Sequence, residues 1–281
     1  MMDFLYLGTG AAEGIPALFC ECDVCAHAQR AGGKNLRLRS GALVDERIMI
    51  DFPPDTLSVK HRLGLNLAKV EHIFFTHSHL DHLAAGELCY RAANYCVGRQ
   101  NPIKLHLHGN EKVLDVIRKM FLFDMDKVAD CVQLHPVEAF VPVEAGGITF
   151  TPLPANHDKR EPCMLYLLEK GDARLLYAND TGALPEQTIQ FLAGKRLSVV
   201  SLDCTMGMRQ HSGGHMGLPD NLLIKQRLMA QGSADECTQF IAHHISHNDN
   251  VSYDSFAERA AGTGFVCSYD GMRLCVEGVA Q

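Results

Sequence analysis

A short segment rich in histidine offers the clearest chemistry in this sequence of 281 residues. Residues 76–82 read Thr-His-Ser-His-Leu-Asp-His and lie between an apolar stretch at 70–75 and a helical pattern. Imidazole nitrogens with a carboxylate oxygen form a ligand set that suits Zn²⁺, Mn²⁺ or Fe²⁺. A carboxylate is also favoured at the first turn of the helix that follows. The spacing therefore predicts a metal centre and not merely a polar loop, with the candidate ligands His77, His79, Asp81 and His82.

A second candidate metal site lies near the N-terminus, where Cys20, Cys22 and Cys25 form a Cys-x-Cys-x-x-Cys cluster. Three thiolates within six residues are typical of three corners of a tetrahedral zinc site. The fourth ligand must come from elsewhere, because His27 is too close in the sequence to be the first choice. The other eight of the 11 cysteines show no ligand spacing, and we interpret them as small buried apolar residues. We therefore expect a Cys-rich structural zinc loop at about residues 19–27.

The composition narrows the class of protein. Hydrophobic residues make up 47% and charged residues 21% of the chain, close to the globular average, which excludes a disordered chain. No apolar run approaches the roughly 18 residues of a membrane-spanning helix, and the first residues lack the basic region of a signal peptide. A net charge of −7 disfavours a nucleic-acid partner without excluding it. We therefore expect a cytoplasmic protein with no membrane partner.

The elements that must position these residues are short strands with helices between them. Runs of β-branched, aromatic and aliphatic residues bounded by Gly, Asp, Asn or Pro predict strands, and apolar periodicity predicts helices at 83–96, 111–121, 186–192, 221–229 and 253–261. The predicted strands lie at 4–7, 42–44, 48–50, 73–75, 103–107, 148–153, 164–168, 174–177, 197–202, 239–242, 265–267 and 272–276. No repeat or linker divides the chain, so we predict one domain, 1–281, of the α/β or α+β layered class.

At its His-x-His-x-Asp-His motif the sequence resembles the metallo-β-lactamase superfamily. The resemblance implies an αββα sandwich of two mixed β-sheets flanked by helices, with metals at one sheet edge. It also implies further ligands downstream, and the sequence has a candidate just after each of three strand-like stretches. These candidates are His157, Asp180 and His244.

The resemblance implies a dinuclear site. His77, His79 and His157 would hold one metal, whereas Asp81, His82 and His244 would hold the other, with Asp180 as a bridge. Two divalent cations, Mn or Zn and otherwise Fe, could share a hydroxide that attacks an ester. In this reading Asp81 counts among the catalytic residues as well as among the ligands.

With the cysteine cluster included, the whole chain resembles the PhnP-type branch, the phosphoribosyl cyclic phosphate phosphodiesterases. The likeness runs from residue 8 to residue 272. It implies that His247 completes the structural zinc site with Cys20, Cys22 and Cys25. The motifs that carry it lie at 8–16, 20–25, 77–82, 153–157, 180–185, 203–204, 244–247 and 270–272.

Three segments bear on the substrate. The loop 206–217 holds His211 and His215, and the resemblance favours His215 as the proton donor to the leaving oxygen, although the choice between the two stays open. The segment 89–136 carries none of the motifs of the resemblance, and we expect it to shape the substrate pocket or a dimer contact. A basic run follows the cysteine cluster, and we interpret it as a solvated surface loop in preference to a phosphate-binding site. It comprises Arg30, Lys34, Arg37 and Arg39.

The resulting hypothesis is a dinuclear metal-dependent phosphodiesterase that hydrolyses a small, cyclic phosphate ester by attack of a metal-bridging hydroxide. Its expected partners are that ester and a second copy of the chain in a homodimer. One alternative is another ester hydrolase on the same site, an RNase Z-like nuclease or a thioesterase. The other is a non-catalytic metal-dependent carrier that resembles the pyrroloquinoline quinone pathway protein.

Overall fold

Two packed sheets form the body of the protein. The computed structural model describes residues 1–92, 95–97, 104–121, 128–211 and 213–278. Within these residues, two mixed seven-stranded sheets face each other and carry helices on their outer faces. The predicted αββα sandwich is therefore confirmed. None of the described helices is both long enough and apolar enough to cross a bilayer.

The first sheet combines antiparallel and parallel pairing. With strands numbered in chain order, it contains β1 Met2–Gly8, β2 Gly41–Val44, β3 Ile48–Ile50, β4 His72–Phe74, β5 Leu105–Gly109, β6 Val132–Pro136 and β14 Arg273–Val276. Their order is β14-β1-β2-β3-β4-β5-β6. Strands β3 to β6 are parallel, whereas β14, β1, β2 and β3 pair antiparallel in turn.

The second sheet is built in the same way. It contains β7 Val143–Ala145, β8 Ile148–Pro154, β9 Met164–Lys170, β10 Ala173–Ala178, β11 Val199–Asp203, β12 Gln239–His243 and β13 Phe265–Cys267. Their order is β13-β12-β11-β10-β9-β8-β7. Strands β10 to β13 are parallel, and β7 to β10 are antiparallel. Strands β8, β10, β11 and β12 therefore end at the same edge of this sheet.

The helices lie outside the sheets. They are α1 Asp23–Ala31, α2 Thr56–Leu63, α3 Glu111–Met120, α4 Glu186–Leu192, α5 Leu218–Ala230 and α6 Tyr253–Ala260. The helix predicted at 83–96 is instead a 3₁₀ helix, Ala85–Arg91, and residues 93–94 lie outside the described part of the chain. The sequence did not predict α1, α2, β6 or β7.

Apolar side chains fill three layers, one between the sheets and one under the helices on each side. The middle layer is rich in aromatic rings, and Phe74 of one sheet stacks on Phe150 of the other at 4.1 Å between ring centroids. Burying an aromatic ring of this size stabilises the fold by about 2–3 kcal/mol. The middle layer thus holds the two sheets, and hence their shared edge, in a fixed relation.

Four histidines on β4, β5 and β6 lie beside this aromatic layer. Their nitrogens pair across the strands, His72 Nδ1 with His108 Nε2 at 3.1 Å and His106 Nδ1 with His135 Nε2 at 2.9 Å. The ring of His108 stacks on Phe74. Burial, followed by the charges of neighbouring imidazoles, lowers the pKa of His108 to about 3 and that of His72 to about 4. The rings of His72 and His108 are therefore neutral at pH 7.

Candidate metal centre

The first candidate metal position is formed by three imidazoles. His77 and His79 follow β4, and His157 follows β8, which belongs to the other sheet. One nitrogen of each lies within 4.8 Å of the other two. His157 Nε2 is 3.2 Å from His79 Nδ1, close to the roughly 3.3 Å between two nitrogens bound tetrahedrally to one zinc ion. The three rings are therefore spaced as ligands of a single metal.

The second candidate position lies next to the first. Asp81, His82, Asp180 and His244 also bring one ligand atom each within 4.8 Å. Asp180 Oδ2 lies 2.5 Å from His82 Nε2 and 3.1 Å from His244 Nε2. The same carboxylate is 3.9 Å from His77 Nε2 and 4.0 Å from His157 Nε2. Asp180 thus stands between the two groups, where a bridging ligand would have to be.

Each of the five imidazoles is held from behind by a hydrogen bond at its other nitrogen. The partners are Thr76 for His77 Nδ1 at 3.0 Å, Asp158 for His79 Nε2 at 3.0 Å, Asp51 for His82 Nδ1 at 2.7 Å, the Gly214 carbonyl for His157 Nδ1 at 3.2 Å and Thr205 for His244 Nδ1 at 2.8 Å. A carboxylate or a carbonyl can only accept, so it fixes the proton on the nitrogen it contacts. The nitrogen that faces the cavity then carries the lone pair that a metal needs.

The nitrogens that face inward make no well-formed hydrogen bond to the protein. His77 Nε2, His82 Nε2 and His244 Nε2 are buried, and the last two contact the Asp180 carboxylate, which stands between the two metal positions. A buried polar atom without a partner costs about 1–3 kcal/mol, and such atoms are uncommon in a native core. A divalent cation would satisfy all three, so the residues present fit the metals that this donor set favours.

The charges of the cluster suit cation binding. Burial alone would raise the pKa of Asp180, but the charges of His244 and His82 outweigh it and hold that pKa well below its usual value. Burial, with help from the charge of His82, holds the pKa of His77 well below its ordinary value. The centre therefore offers an ionised carboxylate beside a neutral His77. The nearby carboxylates raise the pKa of His82 and of His244 against the effect of burial, so a bound cation would displace protons from these two rings.

Three residues at the centre have a left-handed backbone. Asp51, Asp180 and His244 each follow the end of a strand and have φ angles of 61°, 49° and 58°. Residues other than glycine adopt this region at a cost, and such strain clusters at functional sites. Here the turns direct Asp180 and His244 into the cavity and Asp51 onto the rear nitrogen of His82.

His215 lies on the same cavity. Its Nδ1 is 3.1 Å from Asp203 Oδ2 and 3.4 Å from Asp180 Oδ1. Burial lowers the pKa of His215, but the hydrogen bond to Asp203 and the nearby carboxylates outweigh it and raise the pKa to about 9. His211 is exposed and contacts Asp220 at 3.1 Å. Of the two histidines left open by the sequence, the structure places His215 at the cavity and His211 away from it.

The cysteine cluster forms a separate site. His247 Nδ1 lies 3.5 Å from Cys20 Sγ and 3.4 Å from Cys22 Sγ, and Cys25 completes a group within 4.8 Å. A tetrahedral zinc ion would set its sulfur and nitrogen ligands about 3.6 Å apart. The four residues implied by the resemblance are thus brought together, and His27 is not among them. That they bind zinc stays a prediction, as does the metal binding of the seven residues above.

A cavity of about 410 Å³ opens over the two candidate metal positions. Besides ligand residues, its lining includes Glu13, Met206, Arg209 and Asn248. Within the part of the chain that is described, the segment 89–136 contributes nothing to this lining, contrary to one expectation. Residues 93–94, 98–103 and 122–127 of that segment lie outside the described residues.

The basic run differs from its interpretation as a solvated loop. Arg37 is only 2% exposed, and it donates hydrogen bonds to Thr9 Oγ1 and to the Ser268 carbonyl. Lys34 lies over the ring of Tyr269. Arg30 and Lys34 are exposed, as expected, whereas Arg39 is half-buried and pairs with Asp55. Arg37 instead fixes the loop after β1 to the end of β13.

Sequence reasoning missed the residues behind the ligands. Thr76, Asp158 and Thr205 adjoin or lie close to recognised motifs, but nothing in their type distinguishes them from ordinary loop residues. Asp51 directly follows β3, and a carboxylate at the end of a buried strand is the one signal that could have drawn attention to it.

Comparison with known proteins agrees with this geometry. The Beta-lactamase superfamily domain family matches residues 46–244. The Coenzyme PQQ synthesis protein B of Methylobacterium nodulans is 27% identical over 310 aligned positions, which cover 97% of this chain and 99% of that protein.

Two solved structures share the fold. A structure described as a new diphosphatase from the PhnP family has a TM-score of 0.76 at 24% identity, with 100% of both chains covered. Zn²⁺-bound PqqB from Methylobacterium extorquens has a TM-score of 0.74 at 17% identity, with 98% of this chain and 100% of that one covered. The family match spans more than half of the sequence, and the chain belongs to the metallo-β-lactamase superfamily.

Proposed function

We propose that the chain is a dinuclear metal-dependent phosphodiesterase that acts on a small phosphate ester, with a cyclic phosphate as the favoured substrate. The superfamily consists mostly of hydrolases. The observation that carries the proposal is the position of Asp180 between two groups of ligand atoms, with His215 on the same cavity. The proposed metals are Mn or Zn at the two catalytic positions and Zn at the cysteine site.

Bound divalent cations would lower the pKa of water and stabilise the negative charge that develops on phosphorus. The protein supplies the rest. Asp51, Asp158 and the Gly214 carbonyl fix the tautomers of three ligands. Asp203 accepts the Nδ1 proton of His215 and so leaves Nε2 to give a proton to the leaving oxygen.

Leaving-group dependence tests this assignment. Bis(p-nitrophenyl) phosphate releases a stable phenolate that needs no proton, whereas a 2′,3′-cyclic nucleotide releases an alkoxide that does. His215→Ala should therefore lower kcat for the cyclic nucleotide by about 10²–10⁴-fold and leave the nitrophenyl ester nearly unaffected. His211→Ala, in the same loop but away from the cavity, is the matched control and should change neither.

Metal dependence tests the proposal as a whole. Turnover should require added Mn²⁺ or Zn²⁺, and Asp81→Ala should abolish it together with part of the bound metal. Absence of metal-dependent hydrolysis of any phosphodiester would refute the phosphodiesterase assignment. Equal effects of His215→Ala on both substrates would remove only the proton-donor role.

The relative of the quinone pathway supports one other function. Its 27% identity over nearly the whole of both chains favours a metal-dependent role in cofactor synthesis, with the chain as a carrier. A carrier would bind an anionic ligand in the metal-loaded state without turning it over. A nuclease or a thioesterase would be recognised by turnover of RNA or of a thioester under the same conditions.

A further inference from the structure

Glu13 lies in the loop between β1 and α1 and faces three consecutive residues of another segment. Its Oε1 accepts hydrogen bonds from Ser246 Oγ at 2.5 Å and from Asn248 Nδ2 at 3.2 Å. The same oxygen lies 3.3 Å from His247 Nε2. One carboxylate oxygen thus contacts the side chains of residues 246, 247 and 248.

The contact with His247 is placed behind the cysteine site. The opposite nitrogen of that ring, Nδ1, is the one that faces Cys20 and Cys22. A carboxylate behind a metal-binding histidine fixes the ring and its tautomer and makes the ligand more basic. Glu13 therefore contacts the rear nitrogen of a candidate ligand of the cysteine site, just as Asp51 contacts the rear nitrogen of His82 at the catalytic centre.

The same segment borders the catalytic centre. His244 comes three residues before His247, and the backbone between them is tied to the Glu13 loop. Ala11 N donates to Ile245 O, and Ile245 N donates to Thr9 O, both at 3.0 Å. The side chains of Glu13, Ser246 and Asn248 also line the catalytic cavity.

Any movement of residues 245–248 will therefore reach His244. That residue holds a left-handed backbone with φ of 58°, and a strained conformation persists only where its surroundings enforce it. The Glu13 contacts lie directly after it in the chain. They are positioned to keep the imidazole of His244 directed at the second catalytic position.

We propose that Glu13 is a positioning residue that couples the two metal sites. It orients His247 for the metal of the cysteine site, and it clamps residues 246–248 so that His244 keeps its place. The two metal sites thus share one clamp, and loss of the Glu13 side chain should weaken both of them. The inference rests on the metal roles under the proposed function, but not on the identity of the substrate.

Cobalt loading separates the two sites. Thiolate-to-cobalt charge-transfer bands arise only from the cysteine site, whereas elemental analysis after chelator competition gives the total number of bound ions. Glu13→Ala should weaken the cysteine site by about 100-fold and the second catalytic position by about tenfold. Glu13→Gln keeps an acceptor for Ser246 and Asn248, so it should weaken the cysteine site by about tenfold and spare the catalytic position.

Glu21→Ala is the matched control, because Glu21 is exposed in the same loop between two of the cysteines. The coupling is overturned if Glu13→Ala matches Glu21→Ala, or if it weakens the thiolate bands while the catalytic cobalt is retained. If Glu13→Ala does not fold, the Glu13→Gln variant is used for the test. The proposal is overturned if that variant keeps its thiolate-to-cobalt bands under chelator as well as the wild type does. Loss of cobalt as expected without phosphodiester hydrolysis would refute only the proposed function.

Discussion

Replacing Asp51 with asparagine should weaken one catalytic metal position by changing the tautomer of a ligand. Asp51 is fully buried, and the groups that hydrogen-bond to it are the backbone N–H and the hydroxyl of Thr76 and the imidazole of His82. Its Oδ1 accepts from Thr76 N at 2.8 Å, and its Oδ2 lies 2.7 Å from His82 Nδ1. Asparagine has one acceptor and one donor group in the same space, so it cannot satisfy both partners.

The backbone N–H of Thr76 cannot give up its proton, so the asparagine oxygen should turn toward it. The amide group then faces His82 Nδ1, and the histidine must move its proton to Nε2. That step removes the lone pair which points at the metal position. We expect metal affinity there to fall by about 10–100-fold, which corresponds to about 1.4–2.7 kcal/mol.

Chelator competition on metal-loaded protein measures this change directly, with ions counted per chain. The expected result is one weakened catalytic equivalent, with the cysteine site unchanged. Asp45→Asn is the matched control, since Asp45 lies in the β2–β3 turn and pairs with Lys170 and with the backbone N–H of Asp3. Equal metal affinity in the two variants would refute the reasoning that Asp51 sets the tautomer of His82.

Two further predictions concern stability and zinc. The pKa of His108 is about 3 in the folded chain against about 6.5 when unfolded, so the unfolded state binds more protons between these values and stability falls as the pH drops below 6.5. His108→Phe should therefore reduce the loss in unfolding free energy between pH 7 and pH 5 by about 2 kcal/mol in urea titrations, and an unchanged loss would contradict it. Cys22→Ser should release one zinc equivalent and lower the thermal midpoint, because the site joins α1 to residues 244–248. Zinc content equal to wild type by elemental analysis would count against a structural zinc.

The local motifs were predictable because their ligands are close in the sequence. A strand followed by a tight turn brings His77, His79 and Asp81 together whatever the rest of the fold does. The same holds for the three cysteines. The distant partners His157, Asp180, His244 and His247 came only with the family resemblance, since nothing in their spacing alone ties them to the motif.

Other elements could not be predicted from the sequence, for physical reasons. β7 has three residues, and β6 is half-exposed at the sheet edge, so neither shows a clear alternation of apolar and polar side chains. Helix α1 begins directly at the cysteine cluster. Because we interpreted these residues as a zinc loop, we did not predict a helix there. The expectation of a solvated basic loop was wrong for Arg37, because a buried arginine bound to backbone and hydroxyl groups has no signature in the sequence.

The sequence by itself determined which donor atoms this protein can offer to metals and, through the motif, which superfamily it belongs to. Only the tertiary structure decided which nitrogen of each histidine faces the cavity. That choice depends on acceptors such as Asp51, Asp158 and the Gly214 carbonyl, which lie on other loops. They meet the ligands because strands from distant parts of the chain end at one edge of the sandwich. A hydrogen bond across that edge exists only after both sheets have packed.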